Sequence, residues 1–135
     1  PIYDHLDTKT EALVRFKGYV LLNYQKTPHG VAYIKITDAL RQEHHVTTEE
    51  ASSLVNELGV FEDCPIWVLL AEYEENIARA RIRSKGPTIS EIANQFDGGG
   101  HALASRANLG TWENAEKLLE ALDAHAKAYK EEVSP

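Results

Sequence analysis

An α+β domain with a mixed β-sheet packed against helices is the fold class this sequence predicts, and three observations predict it. Helix-period and strand-period stretches are intermixed along the 135 residues. One continuous apolar run, Ile66-Trp67-Val68-Leu69-Leu70-Ala71, reads as a central strand buried on both faces. The stretch Ile77 to Ser84 returns through the short connection Glu74-Glu75-Asn76, so this strand pair is expected to be antiparallel.

The remaining elements follow in order. Thr8 and Glu11 have capping-box spacing, and Leu13, Phe16, Val20 and Tyr24 recur at helical intervals, which predicts a helix over residues 8–24. Pro28-His29-Gly30 is a turn, and the β-branched and aromatic alternation of Val31 to Thr37 predicts a strand. Thr47 and Glu50 cap a second helix carrying Ala51, Leu54, Val55 and Leu58, with Gly59 placed as its C-terminal cap. Lys85-Gly86-Pro87 ends the second strand of the antiparallel pair. Ile89, Ile92, Ala93 and Phe96 mark a short amphipathic helix. Gly98-Gly99-Gly100-His101 comes next, read as a loop at the start of a further helix that begins within His101 to Ser105. From Thr111, the residues Ala115, Leu118, Leu119, Leu122 and Ala126 define a last helix, and Lys130-Glu131-Glu132 reads as a solvated tail. No repeat, low-complexity tract or inner boundary divides residues 1–135, which are read as a single domain.

Composition narrows the partners. With 43% hydrophobic and 26% charged residues the chain is ordinary globular material. Its net charge of −7 argues against nonspecific binding to long duplex nucleic acid, which depends on many Lys and Arg contacts to phosphates. A short anionic ligand held by a few local cations is compatible with it. The single cysteine, Cys64, reads as a buried small apolar residue and fits a reducing cytoplasm. No apolar run reaches membrane-spanning length, and Pro1-Ile2-Tyr3-Asp4-His5 is unlike a signal peptide, so a cytoplasmic protein without a membrane partner is expected. Methionine is absent altogether, which is compatible with a piece excised from a longer protein, although removal of an initiator Met before Pro1 would leave the same start.

Three consecutive glycines are conformationally expensive in a folded chain, and two readings compete for them. One is a flexible turn. The other is a concave array of unpaired N–H groups at a helix start, cradling a phosphate with His101 at its lip. The helix before the run, and the histidine and small residues after it, favour the cradle. The spacing is neither that of a P-loop, since no Gly-Lys-Ser/Thr follows, nor a Rossmann fingerprint. In Ile77 to Ser84, period-two geometry puts Arg79, Arg81 and Arg83 on one sheet face. A solvated outer face accounts for Arg79 and Arg81. Arg83 stands apart at the strand end beside Ser84, Lys85 and Gly86, where a guanidinium fork and an ammonium suit a phosphoryl group. If this segment and the glycine run converge, they surround a single phosphate.

Other candidates are weaker. Glu43-His44-His45 reads as a solvated loop ahead of a helix rather than a metal site, because adjacent side chains diverge. His5, His29 and His125 are scattered, while Trp67, Tyr73 and Trp112 read as packing residues. No Ser/His/Asp or Cys/His arrangement is present, nor a set of Asp and His suited to divalent ions. The chain is equipped to grip a phosphorylated substrate and not to cut it.

Arg83-Ser84-Lys85-Gly86, Ile89-Ser90-Glu91-Ile92-Ala93 and Phe96-Asp97-Gly98-Gly99-Gly100-His101-Ala102-Leu103-Ala104-Ser105 together closely resemble the C-terminal, DHH-associated domain of the DHH-family phosphoesterases. Within them the resemblance is strongest to the NrnA-type oligoribonuclease and phosphoadenosine-phosphate phosphatase group. Tyr3-Asp4-His5-Leu6, Lys9-Thr10 and Val31-Ala32-Tyr33-Ile34 also fit, so the likeness runs over essentially the whole chain. It implies a bacterial cytoplasmic enzyme degrading very short RNAs, with 3′-phosphoadenosine 5′-phosphate as a further substrate. It places two Mn²⁺ ions in an N-terminal DHH domain that this chain lacks, and none here. A homodimer of the full-length enzyme is compatible with it. Substrate binding would fall to Arg83, Ser84, Lys85, Gly98, Gly99, Gly100, His101, Ser105 and Arg106. A noncatalytic nucleic-acid-binding module as in alanyl-tRNA synthetases, a cyclic-dinucleotide phosphodiesterase and a RecJ-like exonuclease are the alternatives. Arg106 departs from the family, which usually has glycine there. Either a positive φ strains it, or it adds a phosphate contact.

Overall fold

A six-stranded mixed sheet in the order β1-β2-β3-β4-β6-β5 organises the chain, in a computed structural model that describes residues 10–73 and 77–133. Helix α1 (Glu11–Asn23) begins at Thr10, whose hydroxyl accepts the Leu13 N–H at 3.1 Å. The cap is thus Thr10, while the expected Thr8 lies outside the described residues. Strand β1 (Gln25–Lys26), too short to show a sequence period, pairs antiparallel with β2 (Val31–Ile36) across the Pro28-His29-Gly30 turn.

Strand β2 then runs parallel to β3 (Ile66–Tyr73), which requires a long crossover. Helix α2 (Asp38–Glu43), helix α3 (Thr48–Ser52) and a 3₁₀ helix (Ser53–Val60) supply it. The Thr47/Glu50 capping box forms as read. The helix it starts, however, tightens to 3₁₀ after Ser52, and Gly59 is no cap. Gly59 instead leaves room for the Trp67 indole, which a Cβ there would meet at 2.7 Å. Glu43 and His44 end α2 rather than forming a loop before a helix, and the His44 ring packs on Phe16 and Tyr19 at centroid distances of 5.1 and 4.8 Å.

Strand β4 (Ile77–Ser84) is antiparallel to β3 along its whole length, as expected; the connection Glu74-Glu75-Asn76 lies outside the described residues. Helix α4 (Ser90–Gln95) follows. The next segment corrects the sequence reading. Gly98–His101 is an edge strand, β5, and not a loop at a helix start; Ala104–Gly110 is its antiparallel partner β6 and not a helix. The glycines serve close backbone approach: a Cβ on Gly98 would overlap the Arg106 carbonyl oxygen. On Gly100, at φ +143, it would come within 2.6 Å of the Ala104 oxygen. Helix α5 (Trp112–Val133) closes the fold and includes the supposed tail, from which the Lys130 ammonium donates to the Asp63 carbonyl at 2.7 Å.

Each sheet face has its own core. Val68, Leu70, Ala80, Ile82, Ala107 and Leu109 pack under α4 and α5. On the opposite face Ile34, Ile36, Leu69 and Ala71 pack under α1, α3 and the 3₁₀ helix. Cys64 is fully buried just before β3. No described helix is long and apolar enough to cross a membrane.

Gly98→Ala should lower stability by about 2 kcal/mol or more through overpacking against β6. Gly99→Ala, which meets only the Asn94 side-chain oxygen at 3.1 Å, should be far milder. Urea midpoints at constant slope measure both, and equal losses would refute the close-approach explanation.

Candidate functional site

The helices of the second face lie over β2 and β3, and the 3₁₀ helix also packs on β4. Register shows what the more open half carries. Arg79, Arg81 and Arg83 lie opposite Ala71, Leu69 and Trp67 of β3, hence on the same face as those residues. On the other side of β4 they lie opposite Asn108, Arg106 and Ala104 of β6. Ala104 in turn faces His101 of β5, and Arg106 faces Gly99. Four of the six arginines of an acidic chain therefore share one open face. Arg79, Arg106, Asn108 and His101 are exposed, and Arg81 and Arg83 are half-buried.

Arg83 and His101 stand in one row across three strands, about 10 Å apart at their Cα atoms by two interstrand spacings. Only the methyl of Ala104 lies between them, so the row is a shallow trough with a cationic wall. The Arg83 Nη1 donates to the Ile82 carbonyl at 3.0 Å and reaches the Ser105 carbonyl at 3.5 Å, which steadies the guanidinium while leaving donors unused. Burial, and then the guanidiniums of Arg81 and Arg106, push Arg83 below its ordinary value. An arginine so placed still carries its charge at neutral pH.

The hairpin that carries His101 is tied to the end of β4. The Ser84 N–H donates to the Leu103 carbonyl at 3.0 Å, and the Ile89 N–H to the Ala102 carbonyl at 2.9 Å. The Asn108 side chain donates to the Asp97 carbonyl at 2.9 Å, holding the turn into β5 where Asp97 adopts φ 54. Arg106 is not among the described non-glycine residues with positive φ, which are His45 and Asp97. The strain alternative for Arg106 is therefore removed.

Other residues singled out from the sequence lie elsewhere. Ser84 and Ser105 are buried on the opposite face, where the Ser84 hydroxyl donates to the Pro87 carbonyl at 2.5 Å and the Ser105 hydroxyl to the His101 carbonyl at 2.8 Å. The Lys85 ammonium donates to the Phe61 carbonyl at 2.7 Å, at the end of the 3₁₀ helix, and sits over the Trp67 ring. Gly98 and Gly100 accommodate β6, as described. Sequence reasoning missed Asn108 and Ser52 at the rim of this face and read Tyr73, also there, as a packing residue; the alternation of Ser105, Ala107 and Leu109 with Arg106, Asn108 and Gly110 is the signal that would have found Asn108. Among the described residues no group of three or more His, Cys, Asp or Glu is placed to hold a metal ion.

A family model described as the DHHA1 domain matches residues 29–128. The bifunctional oligoribonuclease and PAP phosphatase NrnA of Bacillus subtilis is 34% identical over 118 residues, which cover 87% of this chain and 37% of that protein. An exopolyphosphatase-related protein from Bacteroides fragilis superposes with a TM-score of 0.78 at 26% identity, over 93% of this chain and 39% of its own. The C-Ala domain of Aquifex aeolicus alanyl-tRNA synthetase has a TM-score of 0.55 at 13% identity, covering 78% of this chain and 98% of that one, a likeness of fold alone. The chain spans about a third of the length of the curated relatives it matches.

Lys85→Ala should cost about 1 kcal/mol by freeing the carbonyls at the end of the 3₁₀ helix. A lower urea midpoint with unchanged affinity for a short phosphorylated ligand is the expected result. Lost affinity at an unmoved midpoint would return Lys85 to the site.

Proposed function

The chain belongs to the DHHA1 domain family, and from that premise we propose that it is the substrate-holding part of a phosphoesterase acting on very short oligoribonucleotides and on 3′-phosphoadenosine 5′-phosphate. The observation that carries this reading is the row formed by Arg83, Ala104 and His101. A terminal phosphate lying over the Ala104 methyl would meet the guanidinium fork on one side and the imidazole on the other. The edge strand adds to this, because half of the β5 peptide groups face away from β6 and have no sheet partner.

These groups donate, orient and neutralise. The Arg83 guanidinium is unsuited to abstract a proton, since a guanidinium does not deprotonate in proteins. Bond cleavage is assigned to an N-terminal DHH domain of a longer protein, in the cytoplasm, as a monomer or homodimer. Two Mn²⁺ ions held there would supply an activated water. Among the described residues no cluster of His, Cys, Asp or Glu is placed to hold such ions, which is compatible with that assignment.

Calorimetry with the 5′-phosphorylated dinucleotide pApA tests the reading. Arg83→Ala and His101→Ala should each weaken binding by about 1–3 kcal/mol, the worth of a charged hydrogen bond. Unchanged affinity in both would remove them from the site. The chain with added Mn²⁺ should not hydrolyse pApA, and turnover would overturn the division of labour. Tight tRNA binding with steep salt dependence would instead favour a noncatalytic nucleic-acid module.

A further inference from the structure

One row of the open face meets the terminal phosphate, and the next row along β4 carries more charge. There Arg81 lies directly opposite Arg106 on the neighbouring strand. Like charges at a cross-strand pair repel and destabilise the sheet unless an anion sits between them. Among the described residues no group supplies that anion: their arginine hydrogen bonds and ion pairs belong to Arg15, Arg41 and Arg83. The pair is close enough to Arg83 for both guanidiniums to depress its pKa, after burial.

Beside the pair lies a cavity of about 220 Å³, lined by Ser52, Tyr73, Arg79, Arg81, Arg106 and Asn108 among others. Most of its wall is already committed to the fold. The Ser52 and Tyr73 hydroxyls bond each other at 3.0 Å, Arg79 lies 4.6 Å over the Tyr73 ring, and the Asn108 amide holds Asp97. Of the three arginines that line the cavity, Arg81 and Arg106 are the two with no hydrogen bond, ion pair or ring contact among the described residues. An arginine at 106 in an unstrained strand conformation thus has a use where a glycine would offer none.

We propose that Arg81 and Arg106 hold a second phosphoryl group of the ligand, one nucleotide unit away from the group at Arg83 and His101. The face then selects ligands with two phosphates, such as nucleoside 3′,5′-bisphosphates and 5′-phosphorylated dinucleotides, over mononucleotides. This rests on the reading of Arg83 and His101 as the first phosphate site. Arg81 precedes Arg83 by two residues along β4, about 7 Å, a step that suits phosphates flanking one ribose.

Calorimetry with AMP, 3′-phosphoadenosine 5′-phosphate and pApA separates the two sites. The unsubstituted chain should bind both two-phosphate ligands at least about tenfold tighter than AMP. Arg81→Gln and Arg106→Gln should each abolish that advantage and leave AMP affinity where it was, whereas Arg83→Ala should weaken all three ligands. Equal affinity for AMP and the bisphosphate, or glutamine variants that weaken AMP as much as the bisphosphate, would overturn the second site and leave the first standing. Failure of the unsubstituted chain to bind any of the three would overturn the first site, and the second with it.

Discussion

Two peptide hydrogen bonds hold the candidate site together. The Ser84 and Ile89 N–H groups donate to the carbonyls of Leu103 and Ala102, the two residues that turn β5 into β6. Strand β6 follows β5 in sequence yet lies inside it in the sheet, between β5 and β4. The hairpin must therefore be fastened at its tip for β6 to lie along β4 in the observed register. A slip of one residue would send Arg106 and Asn108 into the core under α4 and α5, and expose Ala107 and Leu109. Fixing the tip fixes which residues of β6 face outward, and so which cations share a row with Arg83.

That constraint also accounts for the three glycines. Strand β5 approaches β6 so closely that side chains at positions 98 and 100 would collide with its backbone. The same run leaves no side chain beyond Arg106 in its row, so the outer part of the face stays low. A narrow structural demand on the backbone thus produces an open cationic shelf. In a chain of net charge −7, such a shelf acts by position and not by a global attractive field.

Much of this was legible in residue pattern. Period-two runs located β2 and β4, a continuous apolar run located β3, which is buried on both faces, and helical spacing located α1, α4 and α5. The arginine stripe was equally visible in Arg79, Arg81 and Arg83. Strand β1 and helix α2 were not: two residues show no period, and α2 has no buried residue to mark a face. The glycine run was read with the right cause and the wrong partner: close approach was expected from a ligand, and it comes from the backbone of β6. Ser84 and Ser105 show the limit of neighbourhood in sequence. Each sits one residue from a face-lining arginine, and alternation along a strand turns each to the opposite side.

The exposure of the face bears on how it works. Charged hydrogen bonds at a water-covered surface are screened, and they strengthen several-fold when solvent is excluded. Arg106 and His101 are exposed, because the helices on their side of the sheet pack mainly on β2, β3 and β4. A phosphate resting there is oriented by a rigid sheet but weakly shielded. An opposing surface closing over the row would remove water from both the ligand and the guanidiniums, and strengthen each contact without moving any of them. Rigidity of the shelf and weakness of its uncovered contacts are thus complementary: the sheet sets geometry in advance, and the surface that closes over it sets affinity.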